Sequence, residues 1–365
     1  MTDPFCATPW LALRSLAGVG VVIFHRLLAR FGEPERVFQA PVAELVTVKG
    51  VSPAIAQAIA KFTDWPRWDV YLERLVALGG EIITCADDRF PPALQSIPYK
   101  PPFLHVLGKL LPDDDLAIAV IGTRQPSHYG RRTGHRLAGE LARQQVTVVS
   151  GLARGIDTAA HLGALEAGGR TVAVLGCGLD IVYPPENKEL YRRIPQQGAV
   201  VSEFFLGTPP EARNFPIRNR IISGLSRGVV VVEAGLYSGT HITASYALEQ
   251  GREVFAVPGP VDLPGSAGPH RWIQQGAKLV QEVSDIITEV QRPVARTLEA
   301  RLTPAARAPR VEDPILACLS LTPVQLDELI RLAELPAQEV MSRLTLLELQ
   351  GLVQELPGKY FALAG

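Results

Sequence analysis

Six short apolar runs between residues 116 and 257, separated by stretches of helical periodicity, most constrain what this chain can fold into. The runs are Leu116–Ile121, Val146–Val149, Thr171–Leu175, Ala199–Val201, Val229–Val232 and Glu253–Val257. Their apolar residues are nearly continuous rather than alternating, which is typical of strands buried on both faces of a parallel sheet. Helices must then cover both faces of that sheet. The sequence therefore predicts an α/β fold with a Rossmann-like parallel-sheet core.

Glycine follows most of these runs, as Gly122, Gly151, Gly176 and Gly259. In an open α/β sheet, ligands bind beyond the carboxyl ends of the strands, where these glycines stand. Small residues before a helix let backbone N–H groups approach a phosphate. Two segments of this kind are therefore candidate phosphate contacts, namely Ser150-Gly151 and Ser238-Gly239-Thr240.

The regions that flank the core differ from it in pattern. Residues 1–82 are predicted to be helical, with glycine turns at 17–20 and 48–52, and Ser52 is a plausible helix cap before Pro53. This arrangement resembles a helix-hairpin-helix (SAM-like) pair, whose turn can meet a DNA phosphate. The alternative is a small helical bundle that only packs, and the near balance of charge in the segment favours it.

The rest of the chain completes the predicted organisation. Residues 86–112 are proline-rich and indicate an extended connector or a sheet edge. Residues 291–312 have no periodic apolar face and indicate a linker. Helical patterns at Ile315–Leu319, Pro323–Arg331 and Ala337–Leu347, followed by a hairpin over 351–361, predict a winged-helix-like domain. The predicted domains are 1–82, 83–290 and 313–365, with the linker between the last two.

Positive charge is concentrated in two segments of an otherwise neutral chain. The 36 basic and 37 acidic residues give a net charge of −1, which excludes a uniformly basic nucleic-acid coat protein. Residues 116–139 and 212–232 each contain four arginines and no acidic residue. Arginine suits phosphate oxygens, and Phe215 offers a face on which an unpaired base could stack. A solvated helix face or an internal ion pair is the alternative for each arginine.

Several function classes have no support in the sequence. No G-x-x-x-x-G-K-[ST] segment occurs, and Ile181 replaces the third glycine of a dinucleotide fingerprint that begins at Gly176. The four cysteines are too far apart for a zinc ribbon, and no apolar run approaches the roughly 20 residues needed to span a bilayer. We therefore expect no metal, no cofactor, no membrane segment and a cytoplasmic location.

Candidate catalytic groups are few. Glu203 and Glu233 each end a predicted strand, where they could act in acid/base chemistry or could instead orient arginines and cap loops. Asp157 and His161 stand one helical turn apart, and a local hydrogen bond between them is the expectation. Cys177 is interpreted as a small buried thiol.

An ordered series of motifs between residues 86 and 280 resembles the DNA-processing protein A family (DprA, also called Smf). The matching segments are Phe90-Pro91-Pro92-Ala93-Leu94, Pro101-Pro102-Phe103-Leu104, Ile121-Gly122-Thr123-Arg124, Ser150-Gly151-Leu152-Ala153-Arg154-Gly155-Ile156-Asp157, Gly178-Leu179-Asp180-Ile181-Val182-Tyr183-Pro184, Phe215-Pro216-Ile217-Arg218-Asn219-Arg220, Glu233-Ala234, Ser238-Gly239-Thr240 and Val257-Pro258-Gly259. One departure is the segment Pro269-His270-Arg271, where the family's S-x-G-x-N pattern has an asparagine.

The resemblance implies a non-catalytic, dimeric protein that binds single-stranded DNA, protects it and loads a RecA-type recombinase during natural transformation. It implies phosphate contacts from Gly122, Thr123 and Arg124. It also implies a basic track through Lys188, Arg218 and Arg220, with Asn219 ordering the loop or touching the strand.

Two alternatives stay open beside that function. One is a nucleotide-binding or phosphoribohydrolase-like enzyme of related fold, although Ala244 stands where the P-G-G-x-G-T-x-x-E loop has its acid. The other is a scaffold that binds only protein. From residue 314 onward the chain contains three basic and six acidic residues. This net charge of −3 predicts a protein-contact or packing role for the C-terminal domain.

Overall fold

The computed structural model describes residues 7–290 and, in the C-terminal part, residues 315, 319, 324–333, 335–349, 353–356 and 359–363. The chain divides into two compact units, Met1–Gln291 and Arg292–Gly365. The N-terminal helices and the large sheet belong to the same unit. The finer division at residues 82, 290 and 312 stays a prediction, and most of the proposed linker lies outside the described residues.

The first unit contains fourteen α-helices and nine strands among its described residues. Its helices are α1 (Thr8–Ser15), α2 (Val21–Phe31), α3 (Pro34–Gln39), α4 (Val42–Leu45), α5 (Pro53–Ala60), α6 (Pro66–Ala77), α7 (Pro92–Gln95), α8 (His128–Arg143), α9 (Ile156–Glu166), α10 (Lys188–Gln197), α11 (Asn214–Gly224), α12 (Thr240–Glu249), α13 (Ala267–Gln274) and α14 (Val283–Val290). Its strands are β1 (Gly80–Thr84), β2 (Phe103–Gly108), β3 (Ala117–Ile121), β4 (Thr147–Ser150), β5 (Thr171–Val174), β6 (Ala199–Ser202), β7 (Gly228–Val231), β8 (Glu253–Ala256) and β9 (Lys278–Leu279).

The nine strands form one sheet in the order β1-β2-β6-β5-β4-β3-β7-β8-β9. Strands β3 to β9 pair in parallel, whereas β2 is antiparallel to both β1 and β6. All six apolar runs form parallel strands, so the predicted Rossmann-like core is confirmed. The proline-rich segment supplies the extended strand β2, but β2 lies between β1 and β6, so the interpretation as a sheet edge was wrong. The segment also contains the short helix α7, where no helix was expected.

Both faces of the sheet are covered because alternate residues of each strand point to opposite sides. Ile118 and Val120 belong to a fully buried cluster with residues of α8, α9 and α14. Ala119 and Ile121 belong to a second cluster with residues of α11, α12 and α13. Burying one such aliphatic side chain contributes roughly 1.5–3 kcal/mol. The continuous apolar runs thus hold together three layers, with the carboxyl ends of the parallel strands at one edge.

The N-terminal helices α1–α6 enclose an apolar cluster of their own and also pack on the sheet. Ser52 caps α5 as predicted, because its hydroxyl accepts a hydrogen bond from the Ile55 N–H at 3.3 Å. The Tyr71 hydroxyl of α6 lies 2.6 Å from Nε2 of His105 on β2. It also accepts a hydrogen bond from the backbone N–H of Leu206 at 2.8 Å. Polar and aromatic contacts therefore join this helical region to the sheet within one unit.

The described part of the second unit has two helices and a three-stranded sheet. These elements are β10 (Val324–Gln325), α15 (Leu326–Ala333), α16 (Ala337–Leu349), β11 (Val353–Leu356) and β12 (Tyr360–Leu363), with sheet order β10-β12-β11. The hairpin and the helix near 337–347 agree with the prediction. The predicted helix over 323–331 was wrong at its start, where Val324 pairs with Phe361 as a strand. The helix predicted over 315–319 lies mostly outside the described residues.

None of the helices in the described part of the chain is long and apolar enough to cross a membrane.

Candidate nucleic-acid interface

A cleft of about 460 Å³ opens at the carboxyl edge of the sheet, beyond the ends of β3 and β7. It is called the carboxyl-edge cleft below. Its lining residues are Ile121, Gly122, Thr123, Arg124, Gln125, Ala153, Asp157, Phe215, Pro216, Arg218, Asn219, Ile222, Ser238, Gly239, Thr240, Ile242 and Thr243. Three segments far apart in sequence therefore meet here: the loop after β3, the start of α11 and the start of α12.

Most of the predicted site residues are brought together in this cleft. The residues that line it are Gly122, Thr123, Arg124, Phe215, Arg218, Asn219, Ser238, Gly239 and Thr240. Gly151 lines a narrow adjoining crevice that shares Arg124 and Phe215 with the cleft. Ser150, Lys188 and Arg220 line neither. The lining residues that sequence reasoning missed, such as Gln125 and Thr243, are neutral and carry no signal in the sequence.

Arg124 is the exposed cation of the cleft. The loop that carries it is fixed, because the Thr123 N–H donates to the Glu233 carbonyl at 2.7 Å and the Ile156 N–H donates to the Thr123 carbonyl at 3.2 Å. The guanidinium lies 5.2 Å from the centroid of the Phe215 ring. Its side chain makes no hydrogen bond or ion pair with the residues that the structure describes. Arg124 is therefore held in place by stacking and has its donors open to a ligand.

Arg218 has a different environment although it lines the same cleft. It is only 4% exposed, and its guanidinium donates to the carbonyls of Gly151, at 2.7 Å, and of Val174. Its Nε donates to the Asn219 side-chain oxygen at 3.2 Å. Burial lowers the pKa of Arg218 to about 10, so the group stays protonated at neutral pH. Its donors are largely occupied, which makes Arg218 a buried positive charge behind the cleft rather than the free phosphate fork that we expected.

Arg220 does not belong to the cleft, and the expected phosphate contact there was wrong. Its guanidinium forms a bidentate pair with Glu203, with both N–O distances at 2.6 Å and both side chains only 7% exposed. Its Nε donates to the Tyr99 carbonyl at 3.0 Å. The alternative of an internal ion pair is therefore the correct one for Arg220. The Glu203 carboxylate therefore orients Arg220 and is not a free group in a cleft.

The Ser150-Gly151 loop is also used differently from the prediction. The Ser150 hydroxyl donates to the Val120 carbonyl at 2.7 Å. The N–H groups of Gly151 and Ala153 donate to the carboxylate of Asp157 at 3.1 and 3.4 Å. A Cβ on Gly151 would lie 2.6 Å from the guanidinium nitrogens of Arg218, so glycine is needed for this close approach. The loop binds an internal carboxylate where we expected it to bind a ligand phosphate.

His161 also forms a hydrogen bond with the Ser150-Gly151 loop. It accepts a hydrogen bond from the Leu152 N–H on Nε2 at 3.3 Å, and Nδ1 lies 2.7 Å from the Thr171 hydroxyl. Since that hydroxyl donates to the Val148 carbonyl, His161 is neutral with its proton on Nδ1. Burial lowers the pKa of His161 to about 3 and raises that of Asp157. The expected hydrogen bond between Asp157 and His161 is absent, because each side chain binds a loop amide instead.

The start of α12 forms the third wall. Gly239 precedes the helix, and the Ser238 hydroxyl accepts a hydrogen bond from the Thr240 N–H at 3.3 Å. The Ser238 and Thr240 hydroxyls lie 2.9 Å apart. Within the described residues, the Gly239 N–H has no hydrogen-bond partner. This helix start therefore presents hydroxyls, one open N–H group and a favourable dipole to an anion.

Two further groups near the edge have structural partners. The Glu233 carboxylate accepts hydrogen bonds from the Ser127 N–H at 2.9 Å and from the Ser127 hydroxyl, at the start of α8. Glu233 therefore caps a loop, which was one of its two predicted roles. Burial raises the pKa of Cys177 to about 11, and its thiol donates to the Ile181 carbonyl at 3.4 Å.

Lys188 is exposed at the first position of α10, outside the lining of the cleft. The residue before it, Asn187, donates from its side chain to the Leu152 carbonyl at 2.9 Å. That bond ties the start of α10 to the loop after β4. Lys188 therefore stands on an element attached to the cleft but is not a wall of it.

Two family models match this chain. The family model of DNA recombination-mediator protein A matches residues 81–291, and that of the DprA winged helix domain matches residues 299–359. The chain belongs to the DprA family. Every residue of the carboxyl-edge cleft lies within the first of these matches. DprA proteins form a DNA-processing family, and the second match agrees with the predicted winged-helix domain.

Individual relatives agree with this assignment. Protein Smf of Synechocystis is 34% identical, and the match covers 96% of each chain. The X-ray structure of DNA processing protein A from Streptococcus pneumoniae has a TM-score of 0.67 at 36% identity, covering 77% of this chain and 96% of that one. A structure of DNA processing protein A from Helicobacter pylori, described for its single-stranded DNA binding mode, has a TM-score of 0.52 at 28% identity and covers 58% of this chain and 95% of that one.

The departure from the DprA pattern at His270 also has a structural account. Nε2 of His270, on α13, lies 3.0 Å from the carbonyl oxygen of Gly259 in the loop after β8. The histidine therefore makes a helix-to-loop contact at the position where the family's pattern has asparagine.

Proposed function

We propose that this chain binds single-stranded DNA, with a backbone phosphate in the carboxyl-edge cleft. The observation that carries the proposal is the exposed guanidinium of Arg124, stacked on Phe215 and without an ion pair among the described residues. An arginine held this way has its donors directed by packing and free for phosphate oxygens. The buried charge of Arg218 behind the same ring adds to the positive potential without needing a direct contact.

The start of α12 completes the phosphate site. Gly239 offers an open N–H group, and Ser238 and Thr240 offer hydroxyls that can bond an anion. None of these groups distinguishes one base from another, so binding should tolerate any sequence. The solved relative from Helicobacter pylori is described for its single-stranded DNA binding mode, which supports this choice of ligand.

The family resemblance supports a finer proposal for the steps after binding. In it the protein acts as a homodimer, protects the bound strand and delivers it to a RecA-type recombinase without catalysing a covalent step. The C-terminal domain, with its net charge of −3 from residue 314 onward, would then contact protein rather than DNA. Adding the chain to a RecA strand-exchange reaction on DNA already coated with single-strand-binding protein should shorten its lag. An unchanged lag would contradict the loading role.

Fluorescence anisotropy of labelled oligo-dT, measured at several salt concentrations beside a duplex of equal length, tests the binding proposal. The single strand should bind more tightly than the duplex, with affinity falling as salt rises. Arg124→Ala should weaken binding about tenfold and reduce the slope of log K against log salt by about 1, because one phosphate contact is lost.

Arg143→Ala is the matched control. Arg143 is exposed in the last turn of α8, and that helix runs from the loop after β3 toward the opposite edge of the sheet. Its removal changes the net charge by the same amount without touching the cleft. Equal losses from Arg124→Ala and Arg143→Ala would mean that binding follows net charge, and the proposed site would be wrong.

A further inference from the structure

The loop between β7 and α12 carries a tyrosine that no contact in the structure explains. Tyr237 is 98% exposed and directly precedes Ser238, which lines the carboxyl-edge cleft. Within the described residues, its ring and hydroxyl make no hydrogen bond or ring contact. A tyrosine ring is largely apolar surface, whose removal from water is favourable. An aromatic side chain left fully in water beside a binding cleft points to a partner that covers it.

We propose that Tyr237 is a base-stacking platform at the rim of the cleft, on which a nucleobase of the bound single strand packs face to face. This inference rests on the proposed function, since the neighbouring cleft would hold the phosphate. Gly239, with its open N–H group, is only two residues away along the same short loop. One loop would then offer both halves of a nucleotide site, a phosphate contact and an aromatic face.

The loop is fixed at its base, so the ring is presented from a rigid support. The Ala234 N–H donates to the Gly265 carbonyl at 2.8 Å. His241 accepts a hydrogen bond from the Trp272 indole on Nδ1 at 2.9 Å, so its Nε2 carries the proton and donates to the Gly235 carbonyl, also at 2.9 Å. A platform held this way loses little conformational freedom when a base packs on it.

The aromatic residue that the sequence favoured for stacking is committed elsewhere. Phe215 is half-buried, and its ring centroid lies 5.2 Å from the Arg124 guanidinium and 5.8 Å from that of Arg218. The centroid of the Tyr183 ring lies 5.8 Å from the centroid of the Phe215 ring. Phe215 therefore supports the cations of the site, and the role of base platform falls to an aromatic residue with free faces. Tyr237 is the one beside the described cleft that has them.

A loop bonded to the Tyr237 loop carries a second exposed apolar side chain. Val261 follows β8 and is 90% exposed, and its loop is joined to the Tyr237 loop through the Ala234–Gly265 hydrogen bond. An exposed aliphatic side chain there can contact the edge of a stacked base or sugar. It offers no hydrogen-bonding group, so the subsite would accept any base and would favour an unpaired one, whose faces are accessible.

Oligo-dT titration of three variants, with salt dependence, tests the inference. Tyr237→Ala should weaken binding about tenfold, the range expected when one stacked base loses its platform, while the salt slope stays unchanged because no charge is removed. Tyr237→Phe keeps the ring and should bind as the parent does. Tyr99→Ala removes another exposed tyrosine, one that does not line the cleft, and should leave binding unchanged.

A second readout reports stacking directly. An oligonucleotide with a single 2-aminopurine should lose fluorescence on binding the parent and Tyr237→Phe, and should lose less on binding Tyr237→Ala at saturation. An equal fluorescence change with all three proteins would overturn the inference.

The outcomes separate this inference from the function beneath it. If the parent protein does not bind oligo-dT, the proposed function fails. If the parent binds and Tyr237→Ala binds equally well, the function stands and the stacking role is wrong. A change in the molar mass of Tyr237→Ala in light scattering, with DNA affinity intact, would assign the ring to a protein contact and would also overturn the stacking role.

Discussion

The arginines of residues 116–139 and those of residues 212–232 have contrasting environments. In the first segment Arg124, Arg131 and Arg132 are exposed and form no ion pair with the described residues, whereas Arg136 pairs with Glu140 one helical turn later. In the second segment every arginine is held by a protein group. Their partners are Glu211 for Arg213, the Gly151 and Val174 carbonyls for Arg218, Glu203 for Arg220 and Asp115 for Arg227.

The difference shows what a local count of charges can and cannot reveal. Each segment lacks acidic residues within its own bounds, but a count inside those bounds misses partners that lie outside them, whether next to the segment, as Glu211 and Glu140 do, or far along the chain. Asp115 precedes β3 and Glu203 follows β6, so only the folded sheet brings them to Arg227 and Arg220. On the proposed function, the first segment supplies a cation for binding, whereas the second mainly supplies cations that hold the structure. Four changes test this contrast.

The largest effect should come from breaking the buried pair. Arg220→Ala leaves the Glu203 carboxylate buried without its partner, and should lower the free energy of unfolding by about 3–5 kcal/mol. Urea denaturation measures the loss. The double change Glu203→Leu with Arg220→Met removes both charges and should recover most of the stability. The folded fraction of Arg220→Ala should bind oligo-dT as the parent does, and a large loss of affinity would contradict the structural role.

Acidification should lower the stability of the fold through its two buried histidines and leave the charge of the exposed Arg124 unchanged. Burial lowers the pKa of His105 to about 4 and that of His161 to about 3. The unfolded chain, with histidine pKa near 6.5, therefore binds protons first as pH falls, and stability present above pH 6.5 is lost below it. Between pH 7 and pH 5 each histidine should cost about 2 kcal/mol. Urea midpoints at the two pH values test this, and His161→Asn should flatten the dependence; a flat profile in the parent would contradict it.

Phe215→Leu should act on both arginines at once. The leucine keeps an apolar side chain but removes the ring face that lies near Arg124 and Arg218. A cation–π contact contributes roughly 0.5–2 kcal/mol, so oligo-dT affinity should fall a few-fold and stability by about 1 kcal/mol. Anisotropy and urea denaturation on the same preparation measure the two effects. A loss of affinity as large as that of Arg124→Ala would show that Phe215 itself contacts DNA.

The smallest effect should come from the exposed pair of the second segment. Arg213 is 79% exposed, and its ion pair with Glu211 is open to solvent. Such pairs contribute little, so Arg213→Ala should change stability by less than about 0.5 kcal/mol. Oligo-dT affinity should change no more than it does in Arg143→Ala. A clear loss of affinity would place Arg213 on the DNA path and weaken the contrast between the two segments.

The sequence predicted the fold well where its pattern was periodic and long. The six parallel strands are continuous apolar runs because both of their faces are buried, and that pattern is visible without coordinates. Strand β9 has two residues and β1 follows directly on α6, so neither gives a run that stands out. Val324 was placed in a helix because its pairing with Phe361 depends on a residue far along the chain.

The position of the cleft was predicted from the sequence more fully than the partners of its polar groups. Glycines at strand ends indicated the carboxyl edge, because that rule depends only on topology. The use of each polar group depended on partners that the fold selects. The Gly151 N–H meets a carboxylate six residues later, and Arg220 on α11 meets Glu203, which follows β6. Tyr237 gave no signal, since exposure cannot be inferred for a single tyrosine in a loop.

The carboxylate of Asp157 within the glycine loop has a consequence for selectivity. As part of the same chain, it competes for the Gly151 and Ala153 N–H groups at an effective concentration that a free nucleotide at millimolar levels does not match. A mononucleotide thus finds this loop already occupied and has only Arg124 and the start of α12 to bind in the cleft. A polymer gains many weak contacts through one connected backbone. On the proposed function, the internal carboxylate therefore disfavours a free nucleotide relative to a strand.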